Sequence, residues 1–384
     1  MAKRLMVMLI LYLAMEIGHS RLLLAEAYYN NNEPQVPALY IFGDSTFDVG
    51  TNNFLKNSTS RADMKFYGID FPNSEPTGRF SNGLNTADRL AILLGFQESP
   101  LPYLYLKNNT QIFQKEILKG VNFASGGSGI LKKTGEIPYK EVVSMHEQIK
   151  QFKSVYSKIS EYLNESSGAE KRINKSMFLI SVGSNDIFEF FINATETGAN
   201  FTEVVPQFMS NLMDTYHSHL QELISHGARK VGIVSVPPIG CVPIVRGTFG
   251  GNCSDGINAI AQLFHSSLHA MVSKLRIDCS DLKYSIANAY DITNLTMIDD
   301  PAPIGLNDVK TACCGNETLT LTIPPSPIGV ACSPQASVCE NRDVFLFWDQ
   351  YHPTEYASSI AALAFFTAGP EFVSPFNFST LAQF

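Results

Sequence analysis

Short apolar runs rich in β-branched and aromatic residues recur along the chain, separated by longer segments with helical spacing. Runs of this length bounded by polar residues predict buried strands. The predicted strands are Ala38–Phe42, Met177–Val182, Lys230–Val236 and Tyr284–Ala287. Apolar residues that recur every three to four positions predict helices. The predicted helices are Thr86–Leu94, Met145–Leu163, Val204–Ile224, Ile257–Leu275 and Thr354–Phe366.

This alternation of strands and helices predicts a layered architecture. Strands joined through helices form a parallel sheet, and the crossovers place helices on both of its faces. We therefore expect the α/β class, with a three-layer α/β/α fold around a mainly parallel central sheet. In such sheets functional groups gather on loops beyond the carboxyl ends of the strands.

Composition and charge exclude several classes of protein. Hydrophobic residues make up 45% of the 384 residues, which is enough for a large core and excludes a disordered chain. The formal net charge is -8 and no basic run of five or more residues occurs, which argues against a nucleic-acid partner. No nucleotide-binding fingerprint is present, so no cofactor is implied. His265 and His269 have the spacing of two metal ligands, but without a third ligand we expect no metal site.

The first residues are typical of a secretion signal. Lys3 and Arg4 precede an apolar stretch, residues 5–15, that is too short to span a bilayer. Cleavage after Ala27 fits the requirement for small residues at the cleavage site, with Ser20 as the alternative. No later stretch approaches the length of a transmembrane segment. We expect residues 1–27 to be a signal peptide and residues 28–384 to form a single domain of a secreted protein.

Ten Asn-x-Ser/Thr sequons support the same compartment. We expect glycosylation among Asn57, Asn108, Asn164, Asn174, Asn193, Asn200, Asn252, Asn294, Asn316 and Asn377.

Seven cysteines are present, so in an oxidising environment most should pair and one must be left over. Four of them lie with four prolines near residues 311–343, which predicts a loop held by disulfides. Zinc is the alternative, but the adjacent Cys313 and Cys314 are poor ligands for one tetrahedral ion.

Ser45 lies in a polar turn directly after the first predicted strand. Its hydroxyl is expected at the carboxyl edge of the sheet, where it can act as a nucleophile if a base is within reach. Asp349 and His352 supply a carboxylate and a base three residues apart. Pro353 is expected in the first turn of the following helix, which places the pair on the loop before it.

Two further segments offer hydrogen-bond donors for an oxyanion. Residues 122–129 form a glycine-rich turn that can present a bare backbone N–H, and Asn185 offers a side-chain amide after a strand. Each of these features taken alone is also typical of an ordinary turn or cap. Their combination, in the order serine, glycine turn, asparagine and Asp-x-x-His, favours acyl-transfer chemistry.

This order resembles the SGNH hydrolases, the GDSL esterase/lipase family, and further motifs resemble its plant branch. Those motifs are Phe42–Ser45 with Asp48, Gly50 and Asn52, Gly78–Gly83, Pro237–Cys241, Cys313–Gly315 and Phe347–Glu355. The resemblance extends from about Pro37 to Phe366 and implies the SGNH/flavodoxin-like hydrolase fold. It implies that Ser45 is the nucleophile, His352 the base and Asp349 its orienter.

The resemblance also implies an oxyanion hole. It would consist of the backbone N–H of Ser45, the amide of Asn185 and a glycine of the second segment. Gly127 has the spacing of the family's bacterial members, whereas Gly129 is the recurrent glycine in plant members. Thr46 stands where the family usually has leucine, a change that leaves every chemical group of the site in place.

Aromatic residues directly after Asn185 bear on the substrate. Phe188, Phe190 and Phe191 are expected either beside the oxyanion hole or in ordinary helix core.

We expect a secreted esterase or lipase that hydrolyses carboxylic, lipid-type acyl esters through an acyl-enzyme on Ser45. The alternatives are an acyltransferase, a carbohydrate O-acetyl esterase and a non-catalytic secreted glycoprotein that binds lipid or wall polymer. The oligomeric state stays open.

Overall fold

The structure of the protein is a computed structural model that describes residues 33–163, 166–315 and 332–384. The predicted signal peptide therefore lies outside the described residues. So do the sequons at Asn164 and Asn316 and residues 316–331 of the predicted Cys/Pro-rich loop. Within the described ranges, none of the helices combines the length and apolar content that a membrane-spanning helix needs.

Eight strands form two sheets in the described part of the chain. They are β1 (Leu39–Gly43), β2 (Gly120–Asn122), β3 (Met177–Ser181), β4 (Lys230–Val234), β5 (Lys283–Ala287), β6 (Asp308–Ala312), β7 (Phe345–Phe347) and β8 (Val373–Ser374). The central sheet has the order β2-β1-β3-β4-β5-β8, and β6 pairs with β7 in a second, small sheet. In the central sheet β1 to β5 run parallel, and β8 is an antiparallel edge strand.

Helices connect these strands, as the sequence pattern predicts. In chain order the α-helices of the described residues are α1 (Thr86–Leu93), α2 (Tyr103–Asn108), α3 (Thr110–Ile117), α4 (Glu136–Tyr139), α5 (Met145–Tyr162), α6 (Ser166–Lys175), α7 (Ser184–Glu196), α8 (Phe201–Ser225), α9 (Pro243–Thr248), α10 (Asp255–Asp278), α11 (Ala289–Ile292), α12 (Glu355–Thr367) and α13 (Phe378–Gln383). A π-helix, Thr293–Ile298, directly continues α11.

The central sheet is covered on both faces, which explains why its strands are mainly apolar. All five residues of β1 are buried. Tyr40 and Phe42 belong to a cluster with side chains of α5, α8 and α10, whereas Leu39 and Ile41 belong to a second cluster with α1, α12 and α13. Successive strand residues point to opposite faces, so each β1 residue is packed by one of the two helical layers. The predicted three-layer α/β/α class is confirmed.

The register of the sheet brings the carboxyl ends of four strands to one edge. Gly43 at the end of β1 pairs with Ser181 of β3, Ser181 pairs with Val234 of β4, and Val234 pairs with Ala287 of β5. The loops that follow these residues therefore start side by side. They include the turn that carries Ser45.

The four predicted strands and five predicted helices are confirmed with shifts of up to about three residues at their ends. Four strands of the described residues, β2, β6, β7 and β8, and eight of their α-helices were not predicted. The strand β2 is only three residues long, too short for an apolar run to be recognised. The helix α7 begins at Ser184, immediately after the Gly183 turn, and its polar start was interpreted as a strand-end loop.

Six of the seven cysteines form three disulfides, as the sequence predicts. The pairs are Cys241–Cys253, Cys313–Cys339 and Cys314–Cys332. Cys279 is left over. The last two disulfides lie beside the small β6-β7 sheet, where Cys314 N donates to Trp348 O at 2.7 Å. Both therefore fasten the chain that immediately precedes Asp349.

Candidate active site

Ser45 lies in a turn that leaves the carboxyl end of β1. Gly43 has a φ of 144°, and a Cβ at this position would overlap the carbonyl oxygen of Ser181 on the neighbouring strand. Only glycine fits there without strain. Asp44 N donates to Ser181 O at 3.0 Å, and Phe47 N donates back to Asp44 O at 3.1 Å. The turn therefore fixes Ser45 at the edge of the sheet.

The structure brings Ser45 together with the two residues predicted to serve it. Ser45 Oγ lies 2.7 Å from His352 Nε2. The other ring nitrogen, Nδ1, lies 2.8 Å from Oδ1 and 2.9 Å from Oδ2 of Asp349. This is hydrogen-bonding distance in both contacts. The three side chains are contiguous although 307 residues separate the serine from the histidine.

The loop between β7 and α12 holds Asp349 and His352. Trp348 N donates to His352 O at 2.8 Å, which closes the loop on itself. The expectation that Pro353 begins the next helix is wrong. Thr354 is the N-cap of α12, and its hydroxyl accepts from Ala357 N at 3.1 Å. A side-chain cap satisfies the free N–H groups of the first turn, so the helix begins after Thr354.

Asp349 is 1% exposed and lies at the centre of a hydrogen-bond network. Its Oδ1 accepts from the backbone N–H groups of Tyr351 and His352, each at 2.8 Å. Its Oδ2 accepts from the Tyr67 hydroxyl at 2.8 Å. Burial by itself raises the pKa of Asp349, but the charge of His352 and these hydrogen bonds outweigh it and lower the pKa. The carboxylate is therefore held in its charged form.

Tyr67 is a site residue that the sequence did not reveal. It lies 282 residues before Asp349, and no spacing pattern connects the two. Its ring is buried in a cluster with Phe80, Trp348 and the cysteines of the two C-terminal disulfides. Burial, and after it the charge of Asp349, raises the pKa of Tyr67 well above its usual value. The hydroxyl therefore remains a donor toward Asp349.

The predicted oxyanion donors lie around the same opening as Ser45. Gly127 and Asn185 both line the cavity at Ser45. Asn185 Nδ2 donates to Ser128 O at 2.9 Å, which fixes the amide and leaves its second hydrogen for another acceptor. Gly129, the alternative to Gly127, packs instead against the carboxylate of Asp186. The geometry therefore favours Gly127.

Asp186 holds the glycine-rich turn against the start of α7. Its carboxylate accepts from Ile130 N at 2.8 Å, Leu131 N at 3.0 Å and Thr134 Oγ1 at 2.7 Å. Burial raises the pKa of this carboxyl to about 6, against the lowering effect of the same hydrogen bonds. Asn185 is the preceding residue, so this anchor also sets the position of its amide.

Thr46, where the family usually has leucine, joins a polar network below Ser45. Its Oγ1 donates to Asp44 Oδ1 at 2.8 Å and lies 3.0 Å from Ser181 Oγ. Burial raises the pKa of Asp44 to about 6, although the hydrogen bonds from Thr46 act in the opposite direction. With threonine at this position, Ser45 and His352 are in contact at 2.7 Å.

A cavity opens at Ser45 and His352 and is lined mainly by apolar side chains. Phe188 on α7 lies on its wall and contacts Tyr351 edge to face. For Phe190 and Phe191 the second alternative, packing between helices, holds. Phe190 stacks on Phe208 of α8 with ring centroids 4.1 Å apart, and Phe191 packs against Phe201. Helical geometry places only one of the three aromatics on the cavity side.

Eight of the ten sequons lie in the described residues, and their asparagines differ in exposure. The exposed asparagines are Asn57, Asn108, Asn193, Asn200 and Asn252. The half-buried asparagines are Asn174, Asn294 and Asn377. Asn377 is also the N-cap of α13 and donates its amide to Ala368 O at 3.2 Å. A glycan on Nδ2 would crowd the contact with Ala368 O, whereas the cap itself uses Oδ1, which accepts from Thr380 N at 3.0 Å.

Comparison with known proteins places the chain among ester hydrolases. Residues 39–365 match the family described as GDSL-like Lipase/Acylhydrolase. Two similar proteins of Arabidopsis thaliana are GDSL esterase/lipase At1g29660, 34% identical over 94% of this chain and 96% of its own, and GDSL esterase/lipase LTL1, 32% identical over 90% and 92%.

A solved structure that resembles the fold is phospholipase A1 from Streptomyces albidoflavus NA297. It is 14% identical over 85% of this chain and 96% of its own, with a TM-score of 0.34. The sequence relatives and the family match carry the assignment. The chain belongs to the GDSL esterase/lipase family and is a hydrolase that acts on carboxylic esters.

Proposed function

We propose that this protein is a secreted serine esterase that hydrolyses lipid-type acyl esters through an acyl-enzyme on Ser45. The contact of 2.7 Å between Ser45 Oγ and His352 Nε2 carries this proposal. It is supported by the position of Asp349 on the far side of the imidazole ring. A serine, a histidine and a carboxylate in this order are the groups that acyl transfer requires.

In the first half of the reaction Ser45 Oγ attacks the ester carbonyl carbon while its proton passes to His352 Nε2. The negative charge that develops on the carbonyl oxygen is stabilised by hydrogen bonds from the backbone N–H groups of Ser45 and Gly127 and from the Asn185 amide. Such donors are typically worth about 3 kcal/mol each. His352 then returns the proton to the leaving alkoxide, and an alcohol departs from an acyl-enzyme.

In the second half a water molecule attacks the acyl-enzyme. His352 takes a proton from the water and passes it to Ser45 Oγ, and the carboxylic acid leaves. In both halves the imidazole carries a positive charge that Asp349 stabilises. The lowered pKa of Asp349 keeps its carboxylate negative for this role.

Lipid-type acyl groups are favoured by the character of the cavity. Apart from the polar groups near Ser45, it is lined by side chains such as Phe188, Ile239 and Val242. Binding sites for apolar groups are lined in this way, with few polar groups that fix orientation. A carbohydrate acyl ester would require more polar partners than these walls offer.

Secretion is favoured by the cysteines and the sequons. Three disulfides are typical of an oxidising compartment. Five sequon asparagines are exposed, and we propose Asn57, Asn108, Asn193, Asn200 and Asn252 as the glycosylation sites among the described residues. Residues 1–27 would direct the chain into the secretory pathway.

Hydrolysis of a p-nitrophenyl ester series from acetate to palmitate tests the proposal. The secreted wild type is expected to release p-nitrophenol, and Ser45→Ala should reduce kcat by several orders of magnitude. Treatment of the protein with a glycosidase and comparison of its mass test glycosylation. Folded wild type that cleaves no ester of the series, or an equally active Ser45→Ala variant, would contradict the proposal.

A further inference from the structure

Two helical segments form part of the wall of the cavity at Ser45. One wall is α12, which contributes Ala357, Ala361 and Phe365. The facing wall is α11 with its π-helical continuation, which contributes Ala289, Thr293 and Met297. Residues four positions apart lie on one helix face. Each segment therefore presents one continuous stripe to the cavity, and these six residues define the acyl arm.

The acyl arm includes residues of both apolar clusters. Ala357 and Met297 belong to one apolar cluster, whereas Phe365 and Ala289 belong to the other. α12 begins three residues after His352, so Ala357 lies near the Ser45–His352 contact and Phe365 lies farthest from it. The rise along α12 from Ala357 to Phe365 is about 12 Å. Three residues of α12 therefore line the cavity along about 12 Å of this helix.

Small side chains create the space in this arm. Ala289 and Ala357 are buried, and Ala361 is half-buried, yet all three line a cavity. Larger side chains at these three positions would fill part of the cavity, because protein interiors pack to the density of organic crystals. Five of the six residues of the acyl arm are apolar, so the acyl arm offers almost no hydrogen-bond partners to water or to a sugar.

The π-helix supplies a second, independent observation. Residues Thr293–Ile298 form π-helical turns, and Thr293, Met297 and Ile298 all line the cavity. π-Helical turns are rare and occur frequently at functional sites, because the wider turn displaces side chains from their regular helical positions. The facing stripe therefore departs from regular helical geometry where it borders the cavity.

We propose that the acyl arm binds the unbranched hydrocarbon chain of a fatty acyl ester, and that Ala361 and Phe365 determine how long that chain can be. The inference rests on the proposed function because it places the acyl carbonyl at Ser45. The chain would pass Ala357 first and meet the Phe365 ring at the far end. Short acyl groups would leave the arm empty.

Substitution of Ala361 by leucine tests the arm directly. The larger side chain should block the chain beyond Ala357. The ratio of kcat/KM for p-nitrophenyl palmitate to that for the acetate should fall by about tenfold or more, the effect of a few misplaced methylenes in an apolar pocket. Phe365→Leu should raise the same ratio.

Ala364→Leu is the matched control, because Ala364 lies on the same helix and is not among the described residues that line the cavity. It should keep the wild-type ratio. Thermal unfolding of all three variants checks that each is folded. If Ala361→Leu and Ala364→Leu give the same chain-length profile as the wild type, the acyl arm is overturned while serine-dependent hydrolysis stands.

A binding measurement separates the arm from catalysis. In Ser45→Ala, displacement of a fluorescent fatty acid by palmitate reports occupancy of the arm without turnover. Adding Ala361→Leu should weaken palmitate binding by about tenfold, and adding Ala364→Leu should not. If palmitate binding responds in this way but the wild-type protein cleaves no ester, the proposed function is wrong and the acyl arm is supported. If palmitate binding is unaffected by Ala361→Leu, the arm is overturned.

Discussion

The Tyr67 hydroxyl donates a hydrogen bond of 2.8 Å to Asp349 Oδ2, in a buried position on the side of the carboxylate away from the loop backbone. Asp349 Oδ1 meanwhile accepts from two backbone N–H groups of its own loop. Asp349 is thus held from two directions, by its own loop and by a distant segment of the chain. Tyr67 is a positioning residue for the carboxylate that faces His352.

Tyr67→Phe should therefore slow the reaction while leaving the ring in its cluster. A hydrogen bond to a charged group contributes about 1.5–3 kcal/mol. If all of this free energy stabilises the transition state, its loss reduces kcat by about tenfold to a hundredfold. Loss of this donor also raises the pKa of Asp349, so protonation of this carboxylate should reduce kcat at a higher pH than in the wild type.

Tyr216→Phe is the matched control for this substitution. The Tyr216 hydroxyl is buried and has no hydrogen-bond partner among the described residues. Removing it should leave both kcat and the pH profile unchanged. A Tyr67→Phe variant with the kinetics of Tyr216→Phe would show that the hydrogen bond to Asp349 does not matter for catalysis.

Asp44→Asn should remove part of the pH dependence of stability. Burial raises the pKa of Asp44 from 3.8 to about 6 in the folded protein. Between pH 3.8 and about pH 6, Asp44 keeps its proton in the folded state and loses it in the unfolded state. The free energy of unfolding therefore falls as the pH rises through this range, and it levels off above about pH 6. From about pH 5 to about pH 8 the wild type should lose about 1.4 kcal/mol at this site.

Asparagine can keep both hydrogen bonds from Thr46, because they end on one oxygen, Oδ1. Urea unfolding at the two pH values measures the difference. Asp214→Asn, at an exposed position on α8, should retain the wild-type slope. The assignment would be refuted by an Asp44→Asn variant whose stability falls with pH as steeply as that of the wild type.

Arg79→Met should destabilise the fold strongly. Arg79 forms a two-pronged ion pair with Asp88, at 2.7 and 2.9 Å, and their side chains are 7% and 0% exposed. Removing one partner of such a pair leaves a buried charge and costs about 3–5 kcal/mol. Chemical denaturation measures this loss. Lys158→Met, which breaks an exposed pair with Glu161, should cost less than about 1 kcal/mol.

Removal of the Cys314–Cys332 disulfide should lower stability and disturb the active site. The bridge closes a loop with a sequence separation of 18, for which the loss of chain entropy predicts about 3 kcal/mol. Cys314 N also donates to Trp348 O, next to Asp349. Thermal unfolding of a Cys314→Ala/Cys332→Ala variant measures the effect. Cys279→Ala, at the unpaired cysteine, should unfold at the same temperature as the wild type. If both variants lose the same amount of stability, the stabilising role of the disulfide is contradicted.

The sequence by itself determined the fold class and the identity of the family. The buried runs of β1, β3, β4 and β5 are apolar because helices cover both faces of the sheet, and this local pattern is visible in one dimension. The Gly43 turn and the spacing of Asp349 and His352 are equally local, and the order of these motifs along the chain predicted that Ser45, Asp349 and His352 form one site. Cysteine counting predicted one leftover residue, and Cys279 is that residue.

Only the tertiary structure decided which distant residues meet. Tyr67 reaches Asp349 because a separate segment folds over it, and Gly127 rather than Gly129 faces the cavity because Asp186 occupies the space beside Gly129. Helix rotation decided that Phe188 faces the cavity while Phe190 packs inside. Contacts of this kind depend on the relative placement of packed elements, which residue type and spacing along the chain do not encode locally.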